Sequence, residues 1–434
     1  MLTPSRIQNS FLILKPNTDW AFYNVGRTET NAFTHGYHRY PAKFIPQIVR
    51  KLITDFTVPG NLVCDPFGGC GTTLVESKLL GRPSIGFDIN PIAKLITQTK
   101  ITPIDPKTLN NCKGKFLEKY YNISATNLGH HSRINYWFDN STIKELDKIY
   151  FTIKQIKNYK IKRFFLCTFS HILKNCSCWL MKSIKPTVDP NKFIPDPLDI
   201  FIRHFNFMMK KNEQFYLNLL KNGNLEMSAK MYRRNSTTKL PLKSNSVALI
   251  ITSPPYVTSY EYADLHQLSL LWFGDDPIYF KKWHKFSHHF GDFRKKFIGS
   301  SYGKEKNGNY GSTIAQKIID KLSVVDKSLA TDVANYFIDM KKAFLEMYRI
   351  LKPHAKACIV IGNTTLRGVE ILNAQAVAEQ MSNIGFHKLK FIKREVLNKM
   401  ITPWRDSKSG KFTSLDNPLK KRVYEFEYIV IMQK

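Results

Sequence analysis

A chain of 434 residues with 43% hydrophobic and 13% aromatic content has the make-up of a folded protein, which excludes a disordered chain. It is long enough for more than one domain or a large insertion. Lys and Arg number 65 against 34 acids, a formal net charge of +31. That excess points to a polyanionic partner, most simply nucleic acid, or to a Lys-rich solvated surface from a proteome of biased composition.

No stretch reaches the roughly 18 uninterrupted apolar residues of a membrane span, and residues 1–14 lack a charged-then-apolar signal pattern. No membrane association is expected. The seven cysteines are odd in number and scattered. Cys176-Ser177-Cys178 has no second pair and no nearby histidine pair, so no metal site is expected. The reading is of reduced thiols in a cytoplasmic protein.

Residues 1–34 carry no interpretable motif. Pro46 suits the first turn of a helix, and Ile48, Val49, Leu52 and Ile53 follow at helical spacing. After a Val58-Pro59-Gly60 turn, residues 61–65 read as a first strand ending in Asp65. The loop 66–71 holds Gly68, Gly69 and Gly71, and Thr72 and Thr73 start a helix. Small residues let a ligand approach the backbone, and a helix N-terminus offers free N–H groups. Residues 83–87 form a second strand ending at Asp88, 23 positions after Asp65, with Ile89, Asn90 and Pro91 following. That is near the spacing at which a second-strand acid accepts ribose hydroxyls. An acid that caps the next helix is the simpler reading, and the two roles are compatible.

From about 106 to 230 the α/β rhythm stops. Residues 143–156, 164–173 and 201–220 have helical periodicity, with a loop at 186–197. Across 141–240 there are 19 Lys/Arg against 7 Asp/Glu, a net of +12. Basic residues interleaved with aromatics suit a surface that grips phosphates and packs bases, or equally a helical insertion whose aromatics form its own core.

The run 247–251 then reads as a buried parallel strand. It leads into Thr252-Ser253-Pro254-Pro255-Tyr256, where two prolines end the ladder at the carboxyl end of a central strand. Residues 281–306 form a loop rich in Lys, His, Phe and Gly that either contacts a nucleic acid or closes over its base, or is disordered and merely solvated. Phe337, Met340, Phe344, Met347 and Ile350 mark a core-facing helix. A strand at 356–361, a helix at 371–384, a strand from 389 and a last strand at 423–432 complete the chain.

Three segments in this order resemble the DNA amino-methyltransferases, which methylate exocyclic nitrogens of cytosine or adenine: Tyr40-Pro41-Ala42-Lys43-Phe44, Asp65-Pro66-Phe67-Gly68-Gly69-Cys70-Gly71-Thr72-Thr73 with Asp88-Ile89-Asn90-Pro91, and Ser253-Pro254-Pro255-Tyr256. The resemblance covers 35–105 and about 235–434. It implies an α/β fold, the Rossmann-like doubly wound sheet of class I methyltransferases with a largely helical insertion. Residues 1–105 would hold the N-terminal segment and cofactor half, 106–230 the basic insertion and candidate target-recognition unit, and 231–434 the catalytic half with a second insertion at about 257–330.

The resemblance further implies S-adenosylmethionine as cofactor. Its binding residues would be Tyr40, Pro41, Lys43, Phe44, Asp65, Pro66, Phe67, Gly69, Gly71, Thr72, Thr73, Asp88, Ile89 and Asn90. Ser253, Pro254, Pro255 and Tyr256 would be catalytic: the Ser253 hydroxyl and Pro254 carbonyl accept hydrogen bonds from the target amine, and Tyr256 stacks on the base. Family members often carry an acid near the cofactor adenine where this chain has Arg233-Arg234-Asn235-Ser236, so Asn235 or a backbone group would serve.

Ser in the first motif position leans towards cytosine N4, with adenine N6 as the alternative. Cytosine C5 chemistry is disfavoured, since no Pro-Cys dipeptide occurs. RNA base methyltransferases share two of the motifs, but the Tyr40–Phe44 segment argues for DNA. A basic DNA-binding protein with an inactive fold is the rival of another class. The implied partners are double-stranded DNA and a separately encoded cognate restriction endonuclease, in the cytoplasm of a prokaryote beside the nucleoid.

Overall fold

The computed structural model describes residues 3–41, 43–124, 128–130, 132–257, 262–274, 290–300, 305–396, 404–407, 413–422 and 425–434. Ala42, Tyr260, Glu261 and Val423, and the parts 281–289 and 301–304 of the anticipated loop, lie outside them.

Seven strands form the central sheet: β1 Val63–Asp65, β2 Ser84–Asp88, β3 Ala229–Arg233, β4 Val247–Thr252, β5 Leu351–Ile361, β6 His387–Glu395 and β7 Phe426–Gln433. Their spatial order is β3-β2-β1-β4-β5-β7-β6. The first five run parallel, and β7 lies antiparallel between β5 and β6. This is a Rossmann-like, doubly wound sheet with one reversed strand, the architecture that the resemblance implies. The order reverses between β1 and β4, which places a crevice at their carboxyl ends.

Alternation along the strands sorts the two faces. Val63, Leu249, Ile251, Cys358, Val360, Ile429 and Ile431 pack with Ile48, Val49, Leu52 and Ile53 of helix α1, Pro46–Phe56. Cys64, Ile250, Ala357, Ile359, Val430 and Met432 face the opposite core. There α2 (Thr313–Val325), α3 (Lys327–Ile350) and α4 (Asn373–Ile384) cover them. The anticipated stripe Phe337, Met340, Phe344, Met347 and Ile350 is fully buried within that layer. Gly385, at φ +123°, ends α4 where sequence places the stop.

The expected helices of the insertion are present and longer: Asn140–Lys154, Tyr159–Cys176 and Pro197–Lys221. A further helix, Pro106–Asn122, was not anticipated. Most of the insertion's aromatics, among them Phe116, Tyr120, Phe164, Phe165, Phe169, Phe201 and Phe205, form a common core with the helix Pro91–Lys100. For these residues the core reading holds over the base-packing one. Strand β3, also unanticipated, ends the insertion as a sheet edge.

The motif-free N-terminus packs along the far edge. Phe11 meets Phe391 and Tyr428 at 4.8 and 4.5 Å, and Asn17 N donates to Lys393 O at 2.8 Å. No helix among the described residues is long and apolar enough to cross a membrane. All seven cysteines are free thiols.

Candidate active site

A cleft of about 800 Å³, including its open mouth, lies at the carboxyl ends of β1, β2 and β4. Its walls include Tyr40, Lys43, Phe44, Asp65, Pro66, Phe67, Gly69, Thr72, Asp88, Ile89, Ser253 and Pro255. Three segments separated by up to about two hundred residues thus converge on one space.

The floor is built by Asp65. Its buried carboxylate accepts the Phe67 amide at 3.1 Å, the Thr252 hydroxyl at 2.6 Å and the Thr73 hydroxyl at 2.7 Å. Burial pushes its pKa up to about 6, against the pull of these three donors. Because all three donors belong to the chain, Asp65 holds the glycine loop and the end of β4 together while lining the cleft.

Gly71 has φ +81°, and a Cβ there would stand 2.5 Å from the Thr97 methyl. Only glycine fits, and Thr97 in turn donates its hydroxyl to Gly69 O at 2.8 Å. Thr72 lines the cleft as the first residue of the helix Thr72–Leu79, while Thr73 is fully buried beneath it.

Asp88 closes the far wall. Its Oδ2 accepts Gly69 N at 3.1 Å and its Oδ1 accepts Asn90 N at 2.8 Å. Enclosure in the cleft, with a smaller contribution from Asp65, raises its pKa to about 6, while the backbone donors oppose the rise. Asn90 does not line the cleft. It caps the helix Pro91–Lys100 through Ile92 N at 2.9 Å and pairs with His266 at 3.0 Å.

Tyr40 stacks on Tyr262 at 6.1 Å and contacts His266 at 5.2 Å. Lys43 Nζ donates to Asn31 Oδ1 at 3.1 Å and His35 O at 3.2 Å. Burial, with nearby Lys100, lowers its pKa to about 8. Pro41 flanks these residues without lining the cleft.

Pro254 lies between the cleft-lining Ser253 and Pro255, and Tyr256 stands behind them. The Tyr256 hydroxyl donates to Glu427 Oε1 at 3.3 Å. Burial and Glu427 raise its pKa, while a hydrogen bond from Ser253 lowers it. Glu427 is paired with Arg394, whose Nε donates to Trp20 O at 2.8 Å. The Tyr256 ring packs beside Gly362, where an added Cβ would lie 3.2 Å from it. The phenol is thus fastened to the protein through its hydroxyl.

Other cleft residues carry no motif: Arg234, Ser236, Tyr262, Lys296, Phe297 and Ile298. Arg234 N donates to Asp88 O at 3.0 Å, and the Ser236 hydroxyl donates to Pro66 O. Asn235 lines the cleft too, with Oδ1 taken by the Thr237 amide and hydroxyl at 2.9 Å each. The basic, aromatic composition of 281–306 was the one signal in sequence for its part of the wall.

A family profile described as DNA methylase matches residues 13–99, which include the Tyr40–Phe44 segment, the glycine loop and Asp88. The chain is 27% identical over 421 residues to Type II methyltransferase M.MvaI of Kocuria varians, spanning 92% of this chain and 91% of that protein. It is 24% identical over 414 residues to Type II methyltransferase M.BsoBI of Geobacillus stearothermophilus, spanning 83% and 80%. Type II methyltransferase M.MjaII of Methanocaldococcus jannaschii is 30% identical over 221 residues, 48% of this chain and 39% of that protein.

Proposed function

We propose that this chain, an S-adenosylmethionine-dependent DNA amino-methyltransferase of the restriction-modification type, methylates the N4 amine of a cytosine flipped out of duplex DNA. The observation that carries the reading is the convergence of the glycine loop, Asp88 and Ser253 on one cleft. We place the protein in the prokaryotic cytoplasm at the nucleoid, with a separately encoded endonuclease as its counterpart.

The cleft fits the cofactor chemically. Asp88 offers a carboxylate to ribose hydroxyls, and Phe44 and Phe67 offer apolar surface. Asn235, its Oδ1 already used, keeps its amide Nδ2 as a donor to a ring nitrogen of the adenine. Tyr40 and Lys43 would enclose the methionine end. When bound, S-adenosylmethionine supplies a sulfonium methyl that an aligned nitrogen can take in line.

The amine of cytosine is a weak nucleophile because its lone pair is delocalised into the ring. Ser253 is hydrogen-bonded to Tyr256 and lines the cleft, and its hydroxyl oxygen has lone pairs to offer an amine N–H. With the Pro254 carbonyl as second acceptor, these bonds draw the nitrogen towards tetrahedral geometry and free its lone pair. Tyr256, Glu427 and Arg394 set the direction of the Ser253 hydroxyl. Base extrusion costs a few kcal/mol, which phosphate contacts of a strongly basic chain offset. We assign target recognition to the helical insertion, with Lys296, Phe297 and Ile298 covering the entering base.

The test is methylation of duplex DNA followed by digestion and mass spectrometry of the nucleosides, with Ser253→Ala and Asp88→Ala in parallel. N4-methylcytosine supports the reading, and N6-methyladenine replaces the base while keeping the mechanism.

A further inference from the structure

The insertion buries most of its aromatics, which makes the most exposed of the others informative. Phe193 is 85% exposed. It lies on the segment 177–196, which joins the helices Tyr159–Cys176 and Pro197–Lys221.

This segment is fastened along its length. Leu180 N donates to Thr187 O at 2.8 Å, and Asp189 N donates to Cys178 O at 2.8 Å. Lys174 Nζ donates to Ser183 O at 2.7 Å. Lys192, next to Phe193, spends its ammonium on the carbonyls of Lys174, Ser177 and Trp179, at 2.6, 2.5 and 2.9 Å. Trp179 stacks on Trp137 at 5.2 Å. The two acids are consumed locally, Asp189 accepting Asn191 N at 3.2 Å and Asp196 accepting Asp199 N at 2.9 Å. Lys182 and Lys185 remain exposed beside them.

The helix that precedes the segment is tied to residues neighbouring the cleft. Ser170, late in its supporting helix, bonds His38 at 3.0 Å and Ser269 at 2.7 Å, and nearby His266 holds Asn90 beside Asp88. On its other flank Cys178 Sγ meets Tyr136 O at 3.6 Å, and Tyr136 is itself 62% exposed. Arg133 lies over Phe290 at 5.9 Å, and Phe293 contacts Phe297 of the cleft wall at 5.0 Å. Basic and aromatic side chains therefore lead from Phe297 of the cleft wall to Tyr136, which touches the start of the segment that carries Phe193.

We infer that segment 177–196 is a preorganised duplex-contacting element, with Phe193 packing against the bases and Lys182 and Lys185 meeting phosphates of the same DNA whose base enters the cleft. An apolar side chain wedged at a base step unstacks it and eases extrusion of a neighbour. A fastened loop loses little freedom on binding, so more of the contact energy survives. The inference rests on the functional reading above and names the element through which DNA is held.

The full-length chain, Phe193→Ala and Lys182→Ala/Lys185→Ala are compared for duplex binding by fluorescence anisotropy over a salt series, with cofactor affinity and melting temperature as controls. Phe193→Ala should weaken duplex binding by about tenfold or more at unchanged melting temperature and cofactor affinity. The double lysine variant should flatten the slope of log affinity against log salt by about two. Wild-type duplex affinity in Phe193→Ala, or self-association of the wild type that this variant abolishes, overturns the loop assignment alone. A wild-type chain that binds cofactor but no duplex overturns the functional reading and the loop assignment with it.

Discussion

Asp65 Oδ1 accepts the Thr252 hydroxyl at 2.6 Å, joining two residues 187 positions apart at the point where the sheet order reverses. The same carboxylate holds the glycine loop through Phe67 N and Thr73. One buried acid thereby locks the proposed cofactor wall to the strand that delivers Ser253. Thr252→Val, which keeps the shape and removes the hydroxyl, should cost about 1–2 kcal/mol of stability. It should also slow methyl transfer more than it weakens cofactor binding. Denaturant unfolding and single-turnover rates measure the two effects.

The carboxyl of Asp88, with its pKa near 6, makes cofactor binding pH-dependent. Protonation removes the acceptor for ribose, so affinity should fall as pH drops through about 6. Stability moves the other way. The folded-state value is raised above the ordinary carboxylate value, so the folded chain binds more protons between about pH 6 and pH 4, and the contribution of this group becomes more favourable as pH falls. Asp88→Asn should bind cofactor more weakly near neutral pH and lose the dependence. Calorimetric titration of S-adenosylmethionine across that range provides the check.

Gly71→Ala should destabilise the chain by about 1–2 kcal/mol from its left-handed backbone alone, with the Thr97 contact adding to this. Thr97→Ser in the same chain removes the nearest methyl and should recover part of the loss. Melting temperatures of the two variants separate strain from overlap.

Tyr256→Phe removes the acceptor for the Ser253 hydroxyl while leaving the ring against Gly362. We expect a rate loss of about tenfold at saturating substrates, with the fold retained. Glu427→Gln should be more severe for stability, since it strands the buried Arg394 guanidinium. Steady-state rates and thermal melts of the pair distinguish orientation of Ser253 from loss of fold.

Much of this architecture was legible because buried parallel strands and amphipathic helices leave strong periodic signals. The run 247–251 and the stripe from Phe337 to Ile350 fall where their patterns place them. Strand β3 was not legible because, as a sheet edge, it buries only Met231. The helix Pro106–Asn122 fully buries only Leu109, Phe116 and Tyr120, among lysines and asparagines.

In the cleft, the motif residues were legible through their resemblance to a known family, and Lys296–Ile298 only through the basic, aromatic composition of their loop, whereas Arg234 and Tyr262 join the wall through tertiary folding. Periodicity placed aromatics on the insertion's helices but not which of them face outward. That distinction, like the exposure of Phe193 on the segment between two of them, needs the packed structure.

The most direct test of the central claim is identification of the methylated nucleoside after incubating the wild-type chain with duplex DNA and S-adenosylmethionine. The account predicts N4-methylcytosine, absent when Ser253 is replaced by alanine. N6-methyladenine would contradict the choice of base, and no methylated nucleoside from a chain that also fails to bind the cofactor would contradict the enzyme itself.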